Sequence, residues 1–272
     1  MIPKSEAQSH DVGANVLTRP RQTHTTSASV EGELVYAVGD VHGCYDLLVR
    51  LLEDIARDAE VRAGDRRPIL IFVGDYVDRG PASAAVLSSL LWLGRYGGME
   101  VHFLKGNHEE MMLKFLDQPA GFRGWLGVGG AQTLRSYGVT PPEEEADAED
   151  LWRARDDLLD RMPAAHLRFL QGLELSVQIG DYAFVHAGVR PGVALDKQRE
   201  RDLLWIREGF LDCDRALSKV IVHGHSWLSD QPEWRKNRVG IDTGAYETGV
   251  LTAIRLEDDQ LEIMQAGSPA QG

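Results

Sequence analysis

The stretch PILIFVGDYVDRGP, residues 68–81, joins two kinds of sequence that rarely adjoin. Its first half is a short apolar run bounded by Pro68 and Gly74, the pattern of a strand buried on both faces. Its second half sets two carboxylates and a guanidinium among Gly74, Gly80 and Pro81. A turn needs Gly, Pro and at most one Asp, so turn formation leaves Asp75, Asp78 and Arg79 over.

The surrounding chain repeats the theme. LVYAV (34–38) is another short apolar run between glycines, and Leu47, Leu48, Leu51, Leu52 and Ile55 then recur at helical spacing before PILIFV, which makes a β-α-β unit. A second helix is predicted from Ser83 to about Tyr96, and MEVHFL (99–104) gives a third strand. Strands alternating with helices imply a mainly parallel sheet with covered faces. Residues 111–171 hold mostly helical signals, such as MMLKFL and LWRARDDLLDRM, interrupted by GFRGWLGVGG (121–130) and the acidic PPEEEADAED (141–150). They read as a helical insertion beside the sheet, with the acidic run a solvated loop. Strands resume at LSVQI, YAFVH, KVIVH, RVGID and VLTAIRL, close enough together to predict a second, mixed or antiparallel sheet. Residues 1–31 are polar, Thr/Ser-rich and without periodicity; they read as a flexible tail in which His10 and His24 are incidental, leaving 32–272 as one domain.

Composition bounds the function. The chain has 272 residues, 43% of them hydrophobic, enough to bury the core of one α/β domain with an insertion. Its formal charge of −13 repels phosphate backbones at long range, so nucleic-acid backbone binding is not expected and phosphate chemistry needs a local positive centre such as a metal. The two cysteines, Cys44 and Cys213, form no CxxC pair and suit a reducing compartment, with Cys44 read as a packing residue. No apolar run is long enough to span a membrane and the N-terminus lacks the apolar centre of a signal peptide, so the expected location is cytoplasmic.

Five strand exits carry polar groups: GDVHG (39–43), GDYVDRG (74–80), GNHE (106–109), HAG (186–188) and HGH (223–225). Loops at the carboxyl ends of strands in α/β sheets converge on a crevice, which makes Asp75 one wall of a site assembled from all five. Asp, Asn and His together give oxygen and nitrogen donors without thiolate, a set that suits Mn, Fe, Zn or Ni better than calcium or an iron–sulfur cluster. A carboxylate such as Asp75 can bridge two cations roughly 3.5–4 Å apart, the spacing that activates water for in-line attack at phosphorus. Glycines beside these residues let backbone approach the ions closely.

These motifs resemble the metallophosphoesterase signature in its PPP-type serine/threonine phosphatase form, which includes the lambda bacteriophage enzyme and many bacterial relatives. The resemblance implies a β-sandwich of two mixed sheets flanked by helices over about residues 34–266 and two divalent metal ions, Mn first among the candidates. It implies one ion on Asp40, His42 and Asp75 and a second on Asp75, Asn107, His186 and His225. It also implies that Arg79 and Asn107 hold substrate phosphate and that His108, oriented by Asp78, protonates the leaving oxygen. LLWIRE (203–208) is similar to the bacterial segment that supplies another phosphate-gripping arginine, here Arg207, for which the alternative is a surface salt bridge. Broader metallophosphoesterases end in GHxH, whereas GHSW here puts Trp227 at the last place. Symmetrical diadenosine tetraphosphate hydrolases are similar too, down to the Cys after GDVHG, but typically carry Ala where Asp78 stands. His223 has two readings, a residue packed behind the ligands or a ligand itself. His102 and His166 are expected to be structural, and IDTGA (241–245) a strand and turn supporting the site.

The expected function is therefore metal-dependent hydrolysis of phosphate monoesters, on a phosphoprotein or a small phosphoester, as a bacterial-type serine/threonine protein phosphatase. The alternatives are a nucleotide or dinucleoside polyphosphate hydrolase and, from another class, a non-catalytic phosphate-binding scaffold.

Overall fold

The structure, a computed structural model, describes residues 17–267. In chain order the strands are β1 (Leu17–Thr18), β2 (Gln22–Thr25), β3 (Leu34–Val38), β4 (Ile69–Phe72), β5 (Glu100–Phe103), β6 (Ser176–Ile179), β7 (Tyr182–Val185), β8 (Val220–His223), β9 (Glu233–Trp234), β10 (Arg238–Gly240), β11 (Val250–Glu257) and β12 (Gln260–Gly267). The helices are α1 (Tyr45–Arg62), α2 (Ser83–Tyr96), α3 (Asn107–Asp117), α4 (Ala131–Ser136), α5 (Ala148–Arg161), α6 (Ala164–Gln171), α7 (Glu200–Trp205) and α8 (Ala245–Thr248).

The strands make two mixed sheets. The first runs β1-β12-β11-β3-β4-β5, with β2 also on β12, and the second runs β6-β7-β8-β10-β9. β3, β4 and β5 are parallel, as are β7, β8 and β10, while the remaining pairs are antiparallel. Alternation along β3 explains why LVYAV is apolar throughout: Val35 and Ala37 join Val177, Phe184 and Val222 between the sheets, whereas Leu34, Tyr36 and Val38 pack with α1 and α2. Ala183, Val185 and Ile221 of the second sheet are covered on their outer side by Leu203 and Phe210. Among the described residues no helix is long and apolar enough to cross a membrane.

Three sequence expectations change. The described part of the proposed tail is not free, because β1 and β2 pair with β12, and Arg21 donates to Asp58 and to Glu262 Oε1. This edge is held by backbone pairing and charge, neither of which leaves an apolar pattern; residues 1–16, with His10, lie outside the described residues. VLTAIRL joins the first sheet rather than the second, antiparallel to β3, with Arg255 opposite Tyr36. β12 is a strand the sequence reading lacked, since Glu262 and Gln265 are polar yet buried within it. The helical insertion matches α3 to α6, which pack against the outer face of the first sheet.

Glu262 belongs to a buried charge network between that sheet and α1. Arg255 donates to Asp58 Oδ2 at 3.2 Å and Glu262 Oε2 at 3.1 Å, and Tyr36 Oη donates to Asp58 Oδ2 at 2.7 Å. Burial opposes ionisation of Asp58, but Arg21, Tyr36 and Arg255 outweigh it and pull its pKa down to about 2. Asp58→Ala leaves the buried Arg255 guanidinium with Glu262 alone and Tyr36 Oη without its acceptor, so a loss of about 1–3 kcal/mol is expected in urea denaturation, with activity per folded molecule unchanged. Arg21→Ala removes a partner whose side chain is 33% exposed and should cost about 1 kcal/mol or less.

Candidate metal centre

The parallel strands of both sheets deliver their carboxyl ends to one place. β3 leads into Asp40 and His42, β4 into Asp75, β5 into Asn107 and His108 at the start of α3, β7 into His186, and β8 into His225. The turns are tight: His42, Asp75, Asp78, Arg79 and His225 account for five of the seven described non-glycine residues with positive φ. Each such residue costs on the order of 1–3 kcal/mol and persists only where its surroundings hold it. A side chain on Gly106 would run into Asp75 Oδ1, and one on Gly224 into Asp40 Oδ1.

Glu109, fully buried, is what holds the Asp75 turn. Its Oε2 accepts from the backbone N–H of Asp75 (2.9 Å) and Gly106 (2.9 Å), and its Oε1 from those of Tyr76 (2.8 Å) and Val77 (3.2 Å). One carboxylate thus caps α3 and closes the loop after β4.

Asp75 faces imidazoles on both sides. Its Oδ2 lies 3.4 Å from His42 Nε2, and its Oδ1 lies 3.4 Å from His186 Nε2 while accepting from the His108 backbone N–H. The Nδ1–H groups of His42 and His186 donate to the carbonyls of Val77 and Val73, both at 2.9 Å, so each Nε2 presents a lone pair. Asn107 Oδ1 lies 2.8 Å from both His186 Nε2 and His225 Nδ1. Burial lowers the pKa of His186 and takes His42 down to about 4 and His225 to about 2. Burial works against the Asp75 carboxylate, yet His186, His108, His42 and His225 outweigh it and hold Asp75 below the usual range.

The donor set fits cations. Ligands about 2.1 Å from one ion and at right angles to each other stand roughly 3 Å apart, and the acceptors here converge at 2.8–3.4 Å. Asp40 Oδ2 accepts from the His225 backbone N–H at 2.9 Å, while its buried Oδ1 has no partner, an orphan that a cation satisfies. Two clusters have metal-ligating geometry, His42–Asp75–His108 and Asp75–His186–His225, and they share Asp75 as a bridging carboxylate must. The second holds three of the four residues expected for one ion, with Asn107 Oδ1 beside its two imidazoles; in the first, His108 stands where the sequence reading put Asp40.

His108 Nδ1 donates to Asp78 Oδ2 at 2.7 Å, leaving Nε2 turned toward Asp75 Oδ2, 3.9 Å away. Burial alone would lower the His108 pKa; Asp75 and Asp78 reverse that and raise it. Asp78 in turn accepts from Trp125 Nε1 (2.8 Å) and Thr133 Oγ1 (2.6 Å), two residues of the helical insertion. Arg79 and Arg207 line the same cleft of about 500 Å³. Arg207 makes no ion pair among the described residues and donates instead to the His225 carbonyl at 3.3 Å, which removes its salt-bridge alternative. His223 has both nitrogens engaged, by the Gly224 carbonyl at 2.9 Å and Arg238 at 3.3 Å, so it packs behind the site and is not a ligand. His102 and His166 bond outside the cleft, to glutamates and to Ser88 and Tyr137.

Sequence reasoning gave no role to Glu109, Trp125, Thr133 or Tyr246, and read Asp242 only as part of a turn supporting the site. Asp242 and Tyr246 line the cleft, and Asp242 follows β10 as Asp75 follows β4, so the strand-exit rule extends to it. Glu109 has the spacing of a capping box with Gly106.

Residues 34–249 match the family model for calcineurin-like phosphoesterases. Serine/threonine-protein phosphatase 1 of Salmonella typhimurium is 30% identical over 89% of this chain and 100% of its own length. A symmetrical bis(5'-nucleosyl)-tetraphosphatase of Methylococcus capsulatus is 29% identical over 87% of this chain and 71% of its own. A solved protein serine/threonine phosphatase of Saccharomyces cerevisiae superposes with a TM-score of 0.51 at 15% identity, covering 89% of this chain and 81% of that one, a likeness of fold alone.

If Asp75 bridges two ions, Asp75→Asn should lower metal content at both positions and abolish turnover, whereas His42→Ala should mainly affect one. Elemental analysis of the purified variants checks this, and full metal content in Asp75→Ala excludes the bridge.

Proposed function

The chain belongs to the calcineurin-like phosphoesterases, and within that family we propose that it hydrolyses phosphate monoesters as a serine/threonine protein phosphatase working with two divalent metal ions. The observation that carries this reading is the His108–Asp78 pair. An alkyl phosphate such as phosphoserine releases an alkoxide, which needs a proton as the bond breaks; a nucleotide leaving from a phosphoanhydride departs without one. A general acid contributes about 10²- to 10⁴-fold, so a buried, fully braced imidazole–carboxylate pair is worth most to a monoesterase.

Asp40, His42 and Asp75 would hold one ion and Asp75, Asn107, His186 and His225 the other. Bound there, the ions supply Lewis acidity that neutralises phosphate charge and makes water nucleophilic at neutral pH. Mixed oxygen and nitrogen donors without thiolate suit manganese, iron, zinc or nickel, and the family resemblance puts manganese first. Arg79 offers the phosphate a planar fork of donors, and Arg207 approaches from the second sheet's side of the cleft. His108 Nε2 hands its proton to the leaving oxygen, while Asp78 keeps Nδ1–H in place and favours the imidazolium. A complete set of donors, acid and arginines supports a working enzyme over a phosphate-binding scaffold.

The second reading is hydrolysis of dinucleoside polyphosphates. It is favoured by relatives that carry that name, among them the Methylococcus capsulatus protein and an asymmetrical enzyme of Anoxybacillus flavithermus at 26% identity. One metal-loaded preparation assayed on a phosphoserine peptide, p-nitrophenyl phosphate and diadenosine tetraphosphate separates the two. We expect the peptide to be preferred; turnover of the dinucleotide alone overturns the reading. His108→Asn should slow the peptide by about 10²-fold or more and the aryl ester far less, because phenolate leaves unaided. Equal losses on both esters would assign His108 to positioning or to the metals instead.

A further inference from the structure

Arg79 is the phosphate clamp of the proposed reaction, yet its guanidinium has no carboxylate or carbonyl partner among the described residues. Two contacts place it. Its backbone N–H donates to the Gly129 carbonyl at 3.4 Å, and Gly129, at φ 122°, lies so close that a side chain there would meet Arg79 Cδ at 3.1 Å. Beyond the stem, the Arg79 Cζ lies over the face of Tyr246, 5.2 Å from the ring centroid. Tyr246 is itself fixed: its ring meets His42 edge-on at 5.2 Å, and Trp227 stands perpendicular to it at 6.4 Å. Trp227 is seated against Gly244, whose missing side chain would meet the indole ring at 2.6 Å.

We propose that Tyr246, buttressed by Trp227, is a positioning residue that holds the Arg79 guanidinium through its ring face and so presets the fork for substrate phosphate. A ring face attracts the cation without occupying an N–H, so all the donors of Arg79 stay available. A carboxylate partner in the same place would compete with phosphate for that fork. The attraction strengthens as substrate excludes water from the cleft, so its largest effect falls on the bound complex. Trp227, which stands where broader metallophosphoesterases have a further histidine, thereby acquires a function as the wall behind Tyr246.

The inference rests on Arg79 gripping phosphate, and the test separates the two. Metal-loaded wild type, Arg79→Ala, Tyr246→Phe, Tyr246→Leu and the Arg79→Ala/Tyr246→Leu double variant are compared on a phosphoserine peptide, with inorganic phosphate as inhibitor and metal content measured for each. Tyr246→Phe keeps the ring and should stay within about twofold of wild type. Tyr246→Leu should raise KM and weaken phosphate inhibition by about three- to thirtyfold, with metal content intact. In the Arg79→Ala background the same change should add almost nothing, since residues acting as one unit are non-additive. If Tyr246→Leu costs as much without Arg79 as with it, or if Phe fails to substitute, Tyr246 acts through His42 or its hydroxyl and the proposal falls. Wild-type KM and phosphate inhibition in Arg79→Ala would instead overturn the phosphate-clamp reading of Arg79 itself.

Discussion

The site depends on one carboxylate placed at the end of one strand. Asp75 is buried, in a left-handed backbone conformation, and lies within reach of histidines contributed by four different segments. A lone buried carboxylate is costly and ordinarily takes up a proton. Here the surrounding imidazoles reverse that tendency, and the backbone around Asp75 is fixed from behind by Glu109, which ties four N–H groups to one side chain. Two carboxylates therefore divide the work: Glu109 satisfies donors and sets geometry, while Asp75 turns its oxygens toward the imidazoles of the two proposed metal sites.

The architecture explains why such a point exists. Each sheet contains a parallel core, and parallel strands send all their carboxyl ends to the same edge. Packing the two sheets face to face brings those edges together, so residues far apart in sequence, such as Asp40 and His225, join by a hydrogen bond. The antiparallel strands β11 and β12 contribute no cleft-lining residue; they carry the buried Arg255–Asp58–Glu262 network and fasten α1 to the first sheet. Stability and chemistry are thus concentrated on different strands of one sheet.

What the sequence makes legible follows from this separation. A polar residue at a strand exit interrupts an apolar run, and the proposed ligands Asp40, His42, Asp75, Asn107, His186 and His225 all stand out in that way. The helices α1 and α2 are legible because one face is apolar. β12 is not, because Glu262 and Gln265 are buried against Arg255 and Thr252, a satisfaction that only the folded partners supply. The edge strands β1 and β2 are not, because exposed strands held by backbone pairing need no alternation. The destination of VLTAIRL is a long-range pairing with no local signature. Glu109 and Tyr246 escape for a related reason: each acts on a neighbour, and sequence shows the residue without the neighbour.

The helical insertion has the most to add to the chemistry. Read along the chain, GFRGWLGVGG is an interruption between helices; in space, Trp125 and nearby Thr133 hold Asp78, and Gly129 underlies Arg79. The proposed metal ligands come from strand exits, whereas the groups proposed to receive phosphate and protonate the leaving oxygen are braced by the insertion. An exit ligand answers to the sheet, which permits little change without losing an ion. Asp78 and Arg79 answer to a segment packed outside the sandwich, where a change of sequence can loosen the acid or the clamp while leaving the ions in place. Differences in leaving group among proteins that share this metal centre are therefore expected to be written in the insertion and the GDYVDRG turn it braces, not in the ligands.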